Sequence, residues 1–115
     1  MLIRPQLLAW QWRIYPGTHR HPLNLFIHIV TAPLFWLALI ALIAVIAGAS
    51  PWYLLATAIF VPVAIVLQGI GHKREVQAPS PFLGAGDFVS RFAAEQLITF
   101  PRFVLSGNWF RNLRA

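Results

Sequence analysis

Cysteine is absent from this chain. Disulfides and thiolate metal ligands are therefore excluded, and the redox compartment leaves no mark on the sequence. Acidic residues are scarce too: three Asp and Glu stand against nine Lys and Arg, for a net charge of +6. Charged residues make up 10% of the 115, and apolar ones 58%. Soluble domains average about 25% charged. A soluble core of this size has no room for so much Leu, Ile, Val, Phe and Trp, so lipid is the expected solvent. Also missing are an HExxH motif, a Gly-rich phosphate loop and a defensible Ser-His-acid arrangement. Their absence removes the zincin, P-loop and triad-hydrolase readings. The basic residues flank apolar segments and form no dense patch, which fits an anionic membrane surface and argues against nucleic acid.

The longest absence lies between His28 and His72, where no Asp, Glu, Lys, Arg or His occurs. Residues 22–47 and 51–70 each offer the roughly 20 apolar residues that cross a hydrocarbon layer. Pro22 and Pro51 suit first helical positions, and Ser50 suits a cap. Pro33 and Pro62 predict kinks, with Thr31 near enough to help satisfy the carbonyl freed by Pro33. The turn Gly48-Ala49-Ser50-Pro51 is short and makes the two helices antiparallel neighbours. The predicted fold is an all-α integral membrane protein, a single domain over 1–115. Its centre is an antiparallel transmembrane helical hairpin with flanking interfacial and amphipathic helices.

Residues 5–14 read as the interfacial helix, with Pro5 in its first turn and Trp10, Trp12 and Tyr15 at the membrane boundary. Pro16-Gly17-Thr18 is expected to break the chain after it. Residues 85–105 predict an amphipathic or re-entrant helix. Asp87, Arg91 and Glu95, spaced i, i+4, i+8, read as a solvated ridge, and the Phe-rich face as lipid contact. The tail NWFRNLRA reads as a further aromatic-basic interface segment. Basic residues lie outside both spans and none lies in the loop between them, so the positive-inside rule places both termini in the cytoplasm. Arg4 and Arg13 interrupt the first apolar stretch, so no cleaved signal peptide is expected.

The turn makes the four histidines informative. Residue 50 is midway between 28 and 72, so His28 and His72 are predicted to face each other at one depth, with His19 and His21 close by. His21, Asn24 and His28 share one face of the first helix; Gln68, His72 and Glu75 or Val76 share one face of the second. Imidazoles together with oxygen donors suit Fe, Zn, Cu or Ni. Asn24, Gln68 and Glu75 are candidates to hold ring tautomers, and Glu75 is also a candidate ligand. Plainer readings exist. His19, Arg20 and His21 fit a positive flank, His72 borders Lys73 and Arg74, and Asn24 and Gln68 fit interhelical glue. An ionisable group as deep as His28 favours a functional site.

The same residues carry a family resemblance. HRHPLNLFIH (19–28) running into IVTAPLF, LQGIGHKREVQAP (67–79), GDF (86–88) and LSGNWFR (105–111) together resemble the small membrane 2-hydroxy fatty acid dioxygenases, over nearly the whole chain. That resemblance implies Fe(II)-dependent α-oxidation, in which a 2-hydroxy long-chain fatty acid loses one carbon with O2 as oxidant. It implies His19, His28 and His72 as iron ligands, with His21 a further candidate. Asn24 and Glu75 take the catalytic positions, Glu75 lying one residue closer to His72 than the family pattern has it. Arg20, Lys73, Arg74 or Arg91 would neutralise the substrate carboxylate. A two-span chain this short also suits a homodimer that completes a pocket. Two rival readings use the same sequence: a haem-binding membrane electron carrier with His28 and His72 as axial ligands, and a non-catalytic membrane assembly protein.

Overall fold

Proline and glycine punctuate an otherwise continuous helical pattern, and the computed structural model, which describes residues 3–115, follows that punctuation. Residues 1 and 2 of the expected 1–115 domain lie outside the described residues. Helix α1 spans Leu7–Thr18, α2 Pro22–Ile46 and α3 Leu54–His72, the last preceded by a 3-10 turn at Pro51–Tyr53. Helix α4 (Ala85–Ala94), a π turn (Glu95–Thr99) and α5 (Phe100–Leu105) form one continuous rod, and α6 (Asn108–Arg114) closes the chain. No strand occurs among the described residues.

Helix α2 starts where Pro22 needs no hydrogen-bond acceptor, with His21 as its cap: Nδ1 accepts from the Leu23 N–H at 3.1 Å. It ends at Gly48, whose φ of +105° suits a residue without Cβ. The Ser50 hydroxyl then caps the next turn, accepting from Trp52 N at 3.4 Å. Helices α2 and α3 run side by side in opposite directions. Thr57 Oγ1 donates to Ala38 O at 2.7 Å near the turn, and Gln68 Nε2 donates to Thr31 Oγ1 at 2.9 Å further along. At the far end Gly71 rests directly on Asn24.

Both helices are long and apolar enough to cross a membrane. Their outer faces carry large exposed side chains, among them Ile40 (61% exposed), Ile43 (56%) and Val66 (60%). The small core gathers instead around the histidine-bearing end, from Tyr15, Leu25, Ala32, Phe100, Phe103 and Trp109. Trp109 Nε1 donates to Leu25 O at 3.0 Å, and Asn112 Nδ2 donates to Pro16 O (3.0 Å) and His19 O (2.8 Å). The tail is thus a clamp on the α1–α2 junction, whereas composition reads it as an interface segment.

Four further expectations change. The first helix begins after Pro5, with Gln6 in the left-handed region, and runs through Pro16 to Thr18 without the expected break. Thr31 does not serve the carbonyl freed by Pro33; its hydroxyl donates to Ile27 O at 2.7 Å. The ridge on α4 is buried, not solvated: Asp87 is 0% exposed and Arg91 7%. Asp87 Oδ2 meets Arg4 Nη2 at 3.1 Å and the Leu83 N–H at 2.9 Å, with Arg91 Nη1 3.5 Å away. Burial opposes ionisation of Asp87, but the Leu83 N–H and the Arg4 guanidinium outweigh it and hold its pKa below the usual carboxylate range. Phe92 packs edge-on against Phe35 of α2, ring centroids 5.3 Å apart, so the Phe-rich face meets protein at this point and not lipid alone.

Gly71 sets how closely the two long helices approach. A Cβ there would meet the Asn24 side-chain oxygen and lie 3.1 Å from Asn24 Cα, which is backbone and cannot swing away. Gly71→Ala is expected to destabilise the fold by about 1–3 kcal/mol, the usual cost of overpacking. Denaturant unfolding followed by circular dichroism checks this. An unchanged midpoint would mean that the close approach does not bear on stability.

Candidate metal centre

Each histidine reaches the centre from a different backbone setting. His19 is the residue that caps the end of α1, His28 lies nearly two turns into α2, and His72 is the last residue of α3. His19 and His28 are 3% and 0% exposed. The three rings stand nearly perpendicular to one another. Their centroids are 4.8 Å apart for His19–His28, 4.8 Å for His19–His72 and 5.1 Å for His28–His72, at interplanar angles of 87°, 83° and 84°. The fourth member is Glu95, in the first position of the π turn. Its Oε2 lies 3.2 Å from His19 Nε2 and 3.2 Å from His28 Nε2. One donor atom from each of the four residues fits within 4.8 Å of all the others.

The hydrogen-bond network assigns the tautomers. His28 Nδ1 is 2.9 Å from Asn24 O, a pure acceptor, so Nδ1 carries the proton. His19 Nδ1 is 3.0 Å from Tyr15 O and 2.9 Å from Thr18 Oγ1. The Thr18 hydroxyl donates its own proton to Tyr15 O at 3.2 Å, so it receives from His19 Nδ1–H. Both Nε2 atoms then present lone pairs to a carboxylate oxygen, acceptor facing acceptor. His19 Nε2, His28 Nε2 and His72 Nδ1 are all buried without a hydrogen-bond partner. A buried polar atom of this kind costs free energy unless something satisfies it. A cation between His19 Nε2, His28 Nε2 and Glu95 Oε2 satisfies the two facing imidazole nitrogens at once, with His72 the fourth donor in the group.

A shared proton is the other way to relieve the conflict, since 3.2 Å also suits an imidazolium–carboxylate pair. Burial is the largest influence on His19 and lowers its pKa, despite the opposing pull of Glu95, so the ring is neutral near pH 7. Burial alone would raise the Glu95 pKa; positive charge at the His19 and His28 nitrogens, from a proton or from a cation in its place, more than reverses this and keeps the carboxylate ionised. Neutral imidazoles and an ionised carboxylate are the states that bind metal. First-row ions with bonds of about 2.0–2.2 Å to N and O need neighbouring donors about 3 Å apart. The two His–Glu contacts meet that requirement.

The π turn explains how Glu95 arrives. A continuous α-helix with Asp87, Arg91 and Glu95 inward would drift until Phe103 faced outward. One wide turn takes the rotation back, so Gln96, Thr99 and Phe103 stay buried as well. Groups around this segment are hydrogen-bonded. Trp36 Nε1 donates to Gln96 O at 2.7 Å, Gln68 and Gln96 exchange side-chain hydrogen bonds at 2.9 Å each, and Thr99 donates to Gln11 Oε1.

Of the residues singled out in the sequence, His19, His28 and His72 converge. His21 does not, because its Nδ1 is used as the α2 cap. Glu75 does not either. Its carboxylate accepts from the backbone N–H groups of Arg20 (2.9 and 3.0 Å) and His21 (3.0 and 3.1 Å) and from Asn24 Nδ2 (2.7 Å). That makes Glu75 a tie between the α1–α2 junction and the end of α3. Asn24 steers His28 through its backbone carbonyl, while its amide faces Glu75 and Thr18 O. Gln68 belongs to the polar layer next to the cluster. The carboxylate that sequence reading missed is Glu95. Its signal is an acid inside the apolar run FAAEQLITF, in a chain with three acids in all.

Beside the cluster opens a mostly apolar cleft of about 430 Å³, within the usual range of small-molecule sites. His19, His72 and Glu95 form part of its wall, and Trp10, Ile14, Ile65, Phe82, Phe88 and Phe92 supply apolar surface. Of the four expected carboxylate partners, Lys73 and Arg91 line it; Arg20 and Arg74 are exposed outside it. The Arg91 guanidinium is held between Trp10 (5.0 Å) and Phe82 (4.1 Å), and its Nη1 donates to Pro81 O at 3.2 Å. Set against protein-family models, curated proteins and solved structures, the chain matches none.

Proposed function

We propose that this protein is an integral membrane, iron(II)-dependent oxygenase that shortens 2-hydroxy long-chain fatty acids by one carbon. One observation carries the reading: unpartnered imidazole nitrogens and a carboxylate converge on the wall of an apolar cleft with a basic rim. The resemblance of residues 19–28 and 67–79 to the 2-hydroxy fatty acid dioxygenases supplies the substrate and the oxidant.

The membrane setting is supported by the outer surface. In their most apolar windows only 22% of α2 and 17% of α3 is buried, whereas core helices of a soluble protein bury most of theirs. Exposed apolar surface on that scale needs lipid or a partner. The basic residues flank the spans on the histidine side, which supports an orientation with that end and both termini in the cytoplasm.

Iron(II), when bound, supplies the one-electron chemistry that lets O2 react with a closed-shell lipid. The chain's own residues do the rest. Lys73 and Arg91 receive the carboxylate, Arg91 having N–H donors beyond those used by Asp87 and Pro81. Ile65, Phe88 and Phe92 hold the alkyl chain. The His19 and His28 tautomers keep both Nε2 atoms unprotonated, and Glu95 adds negative charge that favours a cation. Haem ligation by His28 and His72 leaves His19 and Glu95 unexplained, since both converge on the same point.

The test uses iron-loaded protein in nanodiscs under controlled oxygen. With 2-hydroxypalmitate, oxygen uptake and a product one carbon shorter are expected, both lost in His72→Ala. Stoichiometric metal without oxygen uptake would retain the centre and remove the reaction.

A further inference from the structure

Tyr15 stands at the boundary in the sequence reading, yet it is 2% exposed and touches two members of the cluster. Its hydroxyl donates to Glu95 Oε2 at 2.6 Å, the same oxygen that faces His19 and His28. Its ring stacks on the His19 ring, centroids 3.6 Å apart and planes 15° from parallel. Its backbone carbonyl accepts from His19 Nδ1 at 3.0 Å. Tyr15 and His19 are four apart on α1, so one helical turn produces both the stack and the backbone contact. Phe103 packs edge-on against the Tyr15 ring at 5.1 Å and keeps it from rotating.

We propose that Tyr15 is a positioning residue of the metal centre, fixing at once the plane of His19 and the oxygen of Glu95 that faces the ion. Without the phenol, the Glu95 carboxylate is free to rotate, and either oxygen or neither points between the imidazoles. Without the ring, His19 loses the surface that sets its orientation. An outer hydrogen-bond donor to a ligating carboxylate typically contributes 10–100-fold to metal affinity. Because Tyr15 also lines the cleft, its O–H lies at the boundary between metal site and bound acid. This assignment rests on the metal-centre reading and on no particular substrate.

Tyr15→Phe separates the two contributions, since it keeps the ring, the stack and the Phe103 contact and removes only the hydroxyl. Cobalt(II) titration of the metal-free full-length protein in detergent is the measurement, followed by its visible absorption. For Tyr15→Phe, an affinity about 10–100-fold below wild type and a shifted d–d band at saturation are expected, with helical circular dichroism unchanged. Tyr53→Phe, exposed beside the far turn, is expected to leave both readings unchanged. Wild-type affinity and an unshifted band in Tyr15→Phe would overturn the Tyr15 assignment alone. Wild-type protein that takes up no cobalt would overturn the metal-centre reading beneath it.

Discussion

Changing His28 to Ala is expected to lower metal affinity by more than about 100-fold, beyond the 10–100-fold typical of losing an outer partner. His28 is fully buried and its ring is locked by Asn24 O, so no neighbouring donor can move into its place. Its loss leaves His19, His72 and Glu95 around a void next to Phe100, whose ring lies 5.7 Å from that of His28. The cavity destabilises the fold, but removing an unpartnered buried Nε2 offsets part of that cost. The two effects separate cleanly in a thermal melt. A ligand at 100 times its dissociation constant stabilises by about 2.7 kcal/mol. Wild-type protein is therefore expected to melt several degrees higher with metal than without. His28→Ala is expected to melt at one temperature in both conditions. A metal-dependent rise that survives in His28→Ala would place the ion elsewhere.

The second large effect distinguishes two glutamates. Glu95→Gln removes the negative charge facing His19 and His28 while keeping the side-chain shape, and its metal affinity is expected to fall about 100-fold or more. Glu75→Gln is expected to leave metal affinity within a few-fold of wild type and to lower stability by about 1.5–3 kcal/mol, the range for hydrogen bonds to a charged acceptor. The physical difference lies in what each carboxylate faces. Glu95 faces lone pairs, whereas Glu75 faces the Arg20 and His21 N–H groups and the Asn24 amide. Metal titration and denaturant unfolding of both variants give the comparison. The reverse pattern, with Glu75→Gln losing metal and Glu95→Gln keeping it, would return Glu75 to the ligand role suggested by its sharing a helix face with His72.

The pairing of His28 with His72 was legible because it needed only a turn and equal distances from it. Helical rise is constant, so two residues equidistant from a tight turn reach one level whatever their neighbours. Glu95 was illegible for the opposite reason. The spacing of Asp87, Arg91 and Glu95 is the same on a solvated face and on a buried one, and only tertiary packing decides between them. Neither could the π turn be read, since the contacts it makes, with α1 and α2, are tertiary. Glu75 misled because its distance from His72 resembles ligand spacing. Its partners are backbone N–H groups, which no residue pattern displays. Tyr15 has the composition of a membrane-boundary residue, and its contact with Glu95 spans eighty residues of sequence.

Metal content of the full-length protein, purified anaerobically and measured by elemental analysis beside Glu95→Gln, tests the central claim most directly. A single first-row transition ion per wild-type chain and almost none in the variant are expected. A wild-type chain without metal, or a variant that retains it in full, would contradict the four-residue centre of His19, His28, His72 and Glu95.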